Sequence, residues 1–195
     1  MYRNYIKRIF DIMLALILLP LVTIVILLVG LAIKLDDKGH IFYNAGRLGK
    51  NQIPFKMYKL RSMKENAPDI RNADGTTFNS DDDPRITRVG KFIRKTSLDE
   101  FPQVLNVLKG DMSFIGPRPS PFGDKSIYPE DFLIKFEVKP GITGYSQALV
   151  RNSATMDERI FLDKYYVENI SLFLDLKILW LTLLTVVRKK NINRN

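Results

Sequence analysis

The sequence predicts an α+β protein held at a membrane: a long apolar helix in front, a small β-hairpin or sheet behind it, and later helices suited to a bilayer surface. Three observations carry this. Residues 12–33 run for 22 residues without a formal charge, about 33 Å of helix, or one hydrocarbon core. Short alternating segments punctuated by Gly46 and Gly49 follow. The last third then shows apolar spacing of four and a strongly apolar final stretch.

In the front segment, Arg3, Lys7 and Arg8 precede the apolar run, and Lys34, Lys38, Arg47 and Lys50 follow it. A simple span carries its Lys/Arg excess on one side, so both ends read as cytoplasmic. Two arrangements stay open: a helix that enters, bends at Pro20 and returns, with Thr23 satisfying a freed carbonyl, or one tilted span with a tolerated proline. The run exceeds a signal-peptide core and has no small-x-small cleavage pattern, so it reads as retained.

Residues 41–43 and 54–60 read as strands, and 64–84 as a loop ending in three aspartates before Pro84. A helix is expected from near Ser97, where Ser97-Leu98-Asp99-Glu100 fits a capping box, to near Lys109, with Gly110 as its stop. Another is expected over 156–168, where Phe161 and Tyr165, then Leu162 and Tyr166, lie four apart. The last, over 172–190, has too short an uncharged core to span. Trp180 and Arg188-Lys189-Lys190 suit a helix lying in the interface.

Composition narrows the chemistry. The charge is +9, from 30 basic and 21 acidic residues, which fits nucleic acid or an anionic leaflet and anionic substrates; the apolar front favours the second. There is no cysteine and one histidine, His40, which excludes disulfides, thiol chemistry and His-rich metal sites.

Asp99 and Glu100 are the leading candidates. At a helix start the dipole favours ionised carboxylates, which can attack phosphorus or hold Mg²⁺; the plain alternative is that Glu100 closes the capping box. Arg94 and Arg118 offer guanidinium forks for phosphate, and Pro117 and Pro119 pre-order Arg118. Pro140-Gly141-Ile142-Thr143-Gly144 with Gln147, Arg151 and Asn152 forms a glycine-punctuated loop. Gly46-Arg47-Leu48-Gly49-Lys50-Asn51 is not a P-loop, since the glycine spacing is short and no Ser/Thr follows the lysine. Asp81-x-Asp83 would suit a nucleotide-bound metal in a glycosyltransferase that releases UDP. A membrane-bound nucleic-acid scaffold is the third class, and it predicts steep salt dependence without turnover.

The run Ser97-Leu98-Asp99-Glu100 with Pro102-Gln103, Asn106-Val107-Leu108-Lys109-Gly110-Asp111-Met112-Ser113, Gly116-Pro117-Arg118-Pro119 and Lys139-Pro140-Gly141-Ile142-Thr143-Gly144 resembles the small monotopic phosphoglycosyl transferases, the bacterial sugar transferases. The likeness extends from Lys7-Arg8-Ile9-Phe10-Asp11 to Tyr165-Tyr166-Val167 and Asp175-Leu176-Lys177. It implies transfer of a sugar 1-phosphate from a UDP-sugar to undecaprenyl phosphate, with UMP released. It further implies Asp99 as nucleophile forming a phosphosugar-enzyme intermediate, Glu100 as its partner, and Mg²⁺ held by Asp99 and Glu100. Lys59, Arg94, Arg118, Gln147, Arg151 and Asn152 become the substrate contacts. The implied architecture is a re-entrant membrane helix over 1–38 and a catalytic domain over 39–195 with interfacial C-terminal helices. The implied place is the cytosolic face of the bacterial inner membrane, with no nucleic-acid partner; self-association stays open. Two positions depart from the family pattern: Thr23-Ile24 stands where small relatives bend at Ser-Pro, and Tyr145-Ser146 where they often have Trp-Ala.

Overall fold

The computed structural model describes residues 1–70, 78, 80, 83–122, 129–150 and 155–187, with side chains to Thr185. A wider helical turn over Tyr2–Ile6 leads into α1, Lys7–Asp37, which ends at Lys38 in the left-handed conformation. The helix is continuous through Pro20. Proline removes the donor to the Leu16 carbonyl, and Thr23 does not replace it, because its Oγ1 donates to the Leu19 carbonyl at 2.9 Å. Packing overrides the proline. Ala15 and Val22, on either side of it, are buried in one core with Ala45, Met57, Val104, Val107 and Met112.

One stripe of α1 is buried, at Asp11, Ala15, Val22, Gly30 and Ile33, while Ile17, Leu21, Ile24, Leu28, Leu31 and Leu35 are exposed. Both ends are tied to the same body. At the front, Lys7 Nζ reaches Asp175 Oδ2 at 2.6 Å, and Asp11 Oδ1 accepts from Ser113 Oγ and the Phe114 amide, each at 3.0 Å. At the back, Asp37 pairs with Arg61 and Asp36 Oδ2 accepts from the Val89 amide at 3.0 Å.

Behind α1, β1 (Ala45–Leu48) pairs antiparallel with β2 (Pro54–Met57), Arg47 opposite Phe55. Residues 41–43 supply only a single bridge, Phe42 to Leu60. The hairpin partner of β2 is therefore the segment over Gly46, displaced from the one expected. α2 (Arg88–Lys95), unforeseen in the periodicity, is capped by Thr87, whose Oγ1 accepts from the Gly90 amide at 2.9 Å. α3 (Gln103–Lys109) starts later than expected and ends as expected, at Gly110 with φ +97°. β3 (Ser113–Ile115) runs parallel to β5 (Gly141–Thr143), and β4 (Ser120–Pro121) completes the sheet β2-β1-β4 with Arg47 opposite Pro121.

The rest is helical: α4 (Glu130–Leu133), α5 (Tyr145–Leu149), α6 (Met156–Glu168) and α7 (Leu172–Val187). α6 falls where its spacing put it, and it carries a capping box at Thr155 and Glu158. α7 buries Asp175 and Ile178 and exposes Phe173, Leu176, Trp180 and Leu183. Residues 188–190 lie outside the described residues.

Candidate active site

The dyad sits between α2 and α3, not at a capped helix start. Ser97 is left-handed (φ 57°) and its side chain caps nothing. Leu98–Glu100 form one 3₁₀ turn, so the expected capping box does not form and Glu100 is released for other work. Its Oε1 accepts from Lys59 Nζ at 2.7 Å and stands 3.8 Å from Arg118 Nη2. Lys59 Nζ is also 3.8 Å from Asp99 Oδ2, and the Leu60 amide donates to the Asp99 carbonyl at 2.9 Å. The segment after β2 thus holds both carboxylate residues, one by backbone and both by charge.

The environments of the two carboxylates differ, which corrects the expectation that the helix dipole holds both ionised. Burial pushes the Asp99 carboxyl above its ordinary value; Lys59 opposes this, the Glu100 charge adds to it, and Arg94 again opposes it. Burial acts on Glu100 in the same direction, but Lys59, Arg118 and Arg47 outweigh it and hold Glu100 at about 2. The side chains are 13% and 23% exposed, so both are reachable. Adjacent carboxylates with separated proton affinities are suited to different roles. Asp99 is the more basic of the two, and Glu100 is a standing charge.

Of the predicted contacts, Lys59 and Arg118 touch the dyad, and the charge of Arg94, at the end of α2, is felt by Asp99. Gln147 Oε1 is buried and has no hydrogen-bond partner among the described residues. The Nε2 of the same residue donates to the Ile142 carbonyl at 3.3 Å, within its own loop. Arg151 and Asn152 lie outside the described residues. His40 is exposed, its ring against Glu65. Asp81 is outside the described residues, and Asp83 is fully buried with both oxygens on Arg85, the closest at 2.6 Å from Nη2. A carboxylate spent this way is a poor metal ligand, which removes the geometric basis for the Asp-x-Asp reading.

Three features were missed in the sequence. Arg47 was passed over once its segment failed as a P-loop, yet β1 pairs with β4, two residues past Arg118, and the Arg47 charge reaches Glu100. Asn106 is wholly buried; its Oδ1 accepts from the Tyr58 amide at 2.9 Å and its Nδ2 donates to the Lys56 carbonyl at 2.8 Å. It fixes the chain just ahead of Lys59. Lys135 and Asp163 form a buried pair at 3.6 Å, with Ser146 Oγ donating to Asp163 at 2.8 Å. Lys135 lines the wall beneath Pro117, Arg118 and Pro119. Burial lowers the Lys135 ammonium and raises the Asp163 carboxyl. No residue spacing announces contacts made across such separations; the one available signal was the polar Asn and Lys among apolar neighbours.

The loops around Arg118 are packed backbone to backbone. The Gly141 amide donates to the Pro117 carbonyl at 3.0 Å and the Gly116 amide to the Thr143 carbonyl at 2.9 Å. A Cβ on Gly141 or Gly144 would overlap Gly116. The glycines of the second loop therefore serve to seat the arginine-bearing loop.

A family profile described as bacterial sugar transferase matches residues 2–189. The chain belongs to the bacterial sugar transferase family. It is 40% identical over 188 residues to an uncharacterized sugar transferase, EpsL, of Bacillus subtilis (strain 168), covering 96% of this chain and 90% of that protein. It is 39% identical to the UDP-N-acetylgalactosamine-undecaprenyl-phosphate N-acetylgalactosaminephosphotransferase of Aeromonas hydrophila, covering 94% of this chain and 44% of that one. It is also 39% identical to the UDP-glucose:undecaprenyl-phosphate glucose-1-phosphate transferase of Escherichia coli (strain K12), covering 90% and 39% respectively. The family member thus matches EpsL nearly end to end and less than half the length of the other two.

Proposed function

We propose that this chain is a polyprenyl-phosphate sugar-1-phosphate transferase, moving a sugar 1-phosphate from a UDP-sugar to undecaprenyl phosphate with release of UMP. The observation that carries the reading is the dyad itself: a raised Asp99 beside a charge-held Glu100, ringed by Lys59, Arg118, Arg94 and Arg47. Such a ring suits a diphosphate more than a neutral substrate. The printed activities of the Aeromonas and Escherichia relatives support the same substrate classes.

The chemistry runs in two displacements. An Asp99 carboxylate oxygen attacks the β-phosphorus; the bond from that phosphorus to the bridging oxygen breaks, and UMP leaves with the electron pair. Arg118 and Lys59 offset the charge on the phosphates. An oxygen of the acceptor phosphate then attacks the same phosphorus and frees Asp99. Asp99 and Glu100 also fit Mg²⁺, which takes one or two carboxylates and completes its shell from substrate phosphate and water. When bound it would neutralise the diphosphate.

The membrane reading is monotopic. α1 is long and apolar enough to cross a bilayer, but its two ends are bound to one polar body and its bare face runs the length of the helix. Bedding that face in the cytosolic leaflet satisfies both facts and sets the dyad near headgroup height.

The test is the first half-reaction alone. Enzyme, Mg²⁺ and the accepted UDP-sugar, without lipid, should release up to one UMP per site and add the mass of a sugar phosphate to the protein. The adduct should be labile to hydroxylamine and absent from Asp99→Asn. With a UDP-sugar shown to turn over, absence of both burst and mass gain rejects the covalent route.

A further inference from the structure

Three successive residues tie the end of α1 to the dyad. Residues 59–61 pair with 41–43, the stretch that follows α1: the Tyr43 amide donates to the Lys59 carbonyl at 2.9 Å and the Arg61 amide to the Ile41 carbonyl at 2.8 Å. Lys59 then pairs with Asp99 and Glu100 through its ammonium. Leu60 donates its amide to the Asp99 carbonyl, and its side chain, 1% exposed, packs with Ile33 of α1 and Ile93 of α2. Arg61 turns back to the last turn of α1.

The Arg61 side chain is 7% exposed and grips that turn at several points. Nη1 donates to Asp37 Oδ2 at 2.6 Å and to the Met63 carbonyl at 3.0 Å. Nη2 donates to Asp37 Oδ1, and Nε to the His40 carbonyl, each at 2.5 Å. Asp37 Oδ1 also accepts from the Gly39 amide at 3.2 Å. A Cβ on Gly39 would come within 2.5 Å of Arg61 Nη2, so the guanidinium lies against that residue's bare backbone. Two further carboxylates, Glu65 and Asp36, add to the field at Arg61.

A buried ion pair of this kind is weak evidence of net stability; its best-attested use is to fix a register. Register is what this segment needs. The pairing of 41–43 with 59–61 is a single bridge, Phe42 to Leu60, and so short a pairing specifies its own alignment weakly. A slip of one residue would take Leu60 out of the core and Lys59 off the dyad. A two-pronged guanidinium–carboxylate pair admits one geometry, and α1, 31 residues long, is a rigid body to anchor it.

We propose that Arg61, locked to Asp37 at the end of α1, is a positioning residue for the transfer reaction: it sets the register of 59–61 and so brings the Lys59 ammonium and the Leu60 amide onto the dyad. This assignment rests on the transfer reaction above. Arg61 acts through Lys59 and Leu60, which makes the end of the membrane helix part of the support of the site.

The experiment uses the full chain in nanodiscs. Arg61→Met removes the grip, and Gly39→Ala displaces the guanidinium while keeping its charge. Arg61→Met should lower kcat per active site, with sites counted by the UMP burst, at least about tenfold, the scale of a small misplacement. In a Lys59→Met background the same substitution should add less than about twofold, because both changes act through one group. A full tenfold loss in that background overturns the proposal. So does a loss of burst sites with unchanged turnover per site, which reports a structural role alone. A second measurement does not depend on turnover. Lys59 and Lys7 are similarly covered, 17% and 13% exposed, and their acetylation by an amine-directed reagent is read by peptide mass. Lys59 should acetylate about tenfold faster in Arg61→Met and in Gly39→Ala, the scale of one lost charged hydrogen bond, with Lys7 unchanged. Asp175→Asn, which loosens the other end of α1, should free Lys7 and leave Lys59 protected. Lys59 protected in both Arg61→Met and Gly39→Ala, or freed equally by Asp175→Asn, overturns the positioning role even if transfer is shown. Lys59 freed selectively in a protein that transfers nothing keeps the register role and rejects the reaction.

Discussion

Lys59 is the residue on which the site turns. It forms ion pairs with both dyad carboxylates, and its own charge is the largest influence opposing the burial of each. Lys59→Met should cut kcat at least about 100-fold by leaving two adjacent carboxylates with one fewer cation in a half-buried site. Thermal stability should fall less than in a variant that strands a fully buried charge, because Arg118, Arg94 and Arg47 still act on the carboxylates. Steady-state kinetics beside a melting curve checks this; a variant that melts early but turns over normally would make Lys59 a structural residue. Asp99→Asn should abolish turnover while the protein stays folded, and Arg47→Ala should weaken it less, since Arg47 acts on Glu100 only at longer range.

Between elements, the site depends on braces made by buried polar groups. Asn106→Ala removes the side-chain bonds to Tyr58 and Lys56 inside a dry region and should destabilise by about 2–4 kcal/mol, seen as a lower Tm in detergent. The Asp83–Arg85 pair braces the approach to α2 in the same way. Asp83→Asn strands the Arg85 charge and should cost about 3–5 kcal/mol at neutral pH. The Arg85 guanidinium holds the Asp83 carboxyl below its ordinary 3.8. Its stabilisation is therefore complete above about pH 4 and fades as pH falls through the lowered value. The Tm gap between wild type and Asp83→Asn should narrow on acidification, and a gap that stays constant to low pH would exclude the pair as its source.

For the whole molecule the decisive question is which side of the membrane each end of α1 occupies. Cysteines at Asn4 and Lys38 should label from the same, cytosolic, side with an impermeant reagent. Opposite sidedness would establish a span and would require the contacts of Lys7 with Asp175 and of Asp37 with Arg61 to be incompatible with the membrane-bound protein. The same contacts predict that Asp175→Asn loosens the front of α1, because Asp175 collects Lys7, Tyr2 and Tyr166 at 2.6–2.9 Å. Faster proteolysis near residue 8 would report it.

What the sequence by itself determined is whatever rests on local pattern. The apolar front helix, the stop at Gly110, the span of α6 and the family motifs are contained in neighbouring residues, where period, caps and glycine conformations act over one or two turns. The dyad was legible for the same reason, as adjacent carboxylates in a run that carries the family resemblance. Tertiary structure decided the rest. Pro20 reads as a bend or as a tolerated residue, and with Ala15 and Val22 buried on one body the helix runs on through it. Ser97-Leu98-Asp99-Glu100 reads as a capping box, yet a left-handed Ser97 turns Glu100 to Lys59, forty-one positions away in the chain. Arg47 and Asn106 gain their roles from strand pairing and burial alone. Local propensities amount to tenths of a kcal/mol per residue, whereas burying a core side chain or satisfying a buried polar group amounts to a few. Where the two disagree, the contact distant in sequence sets the geometry.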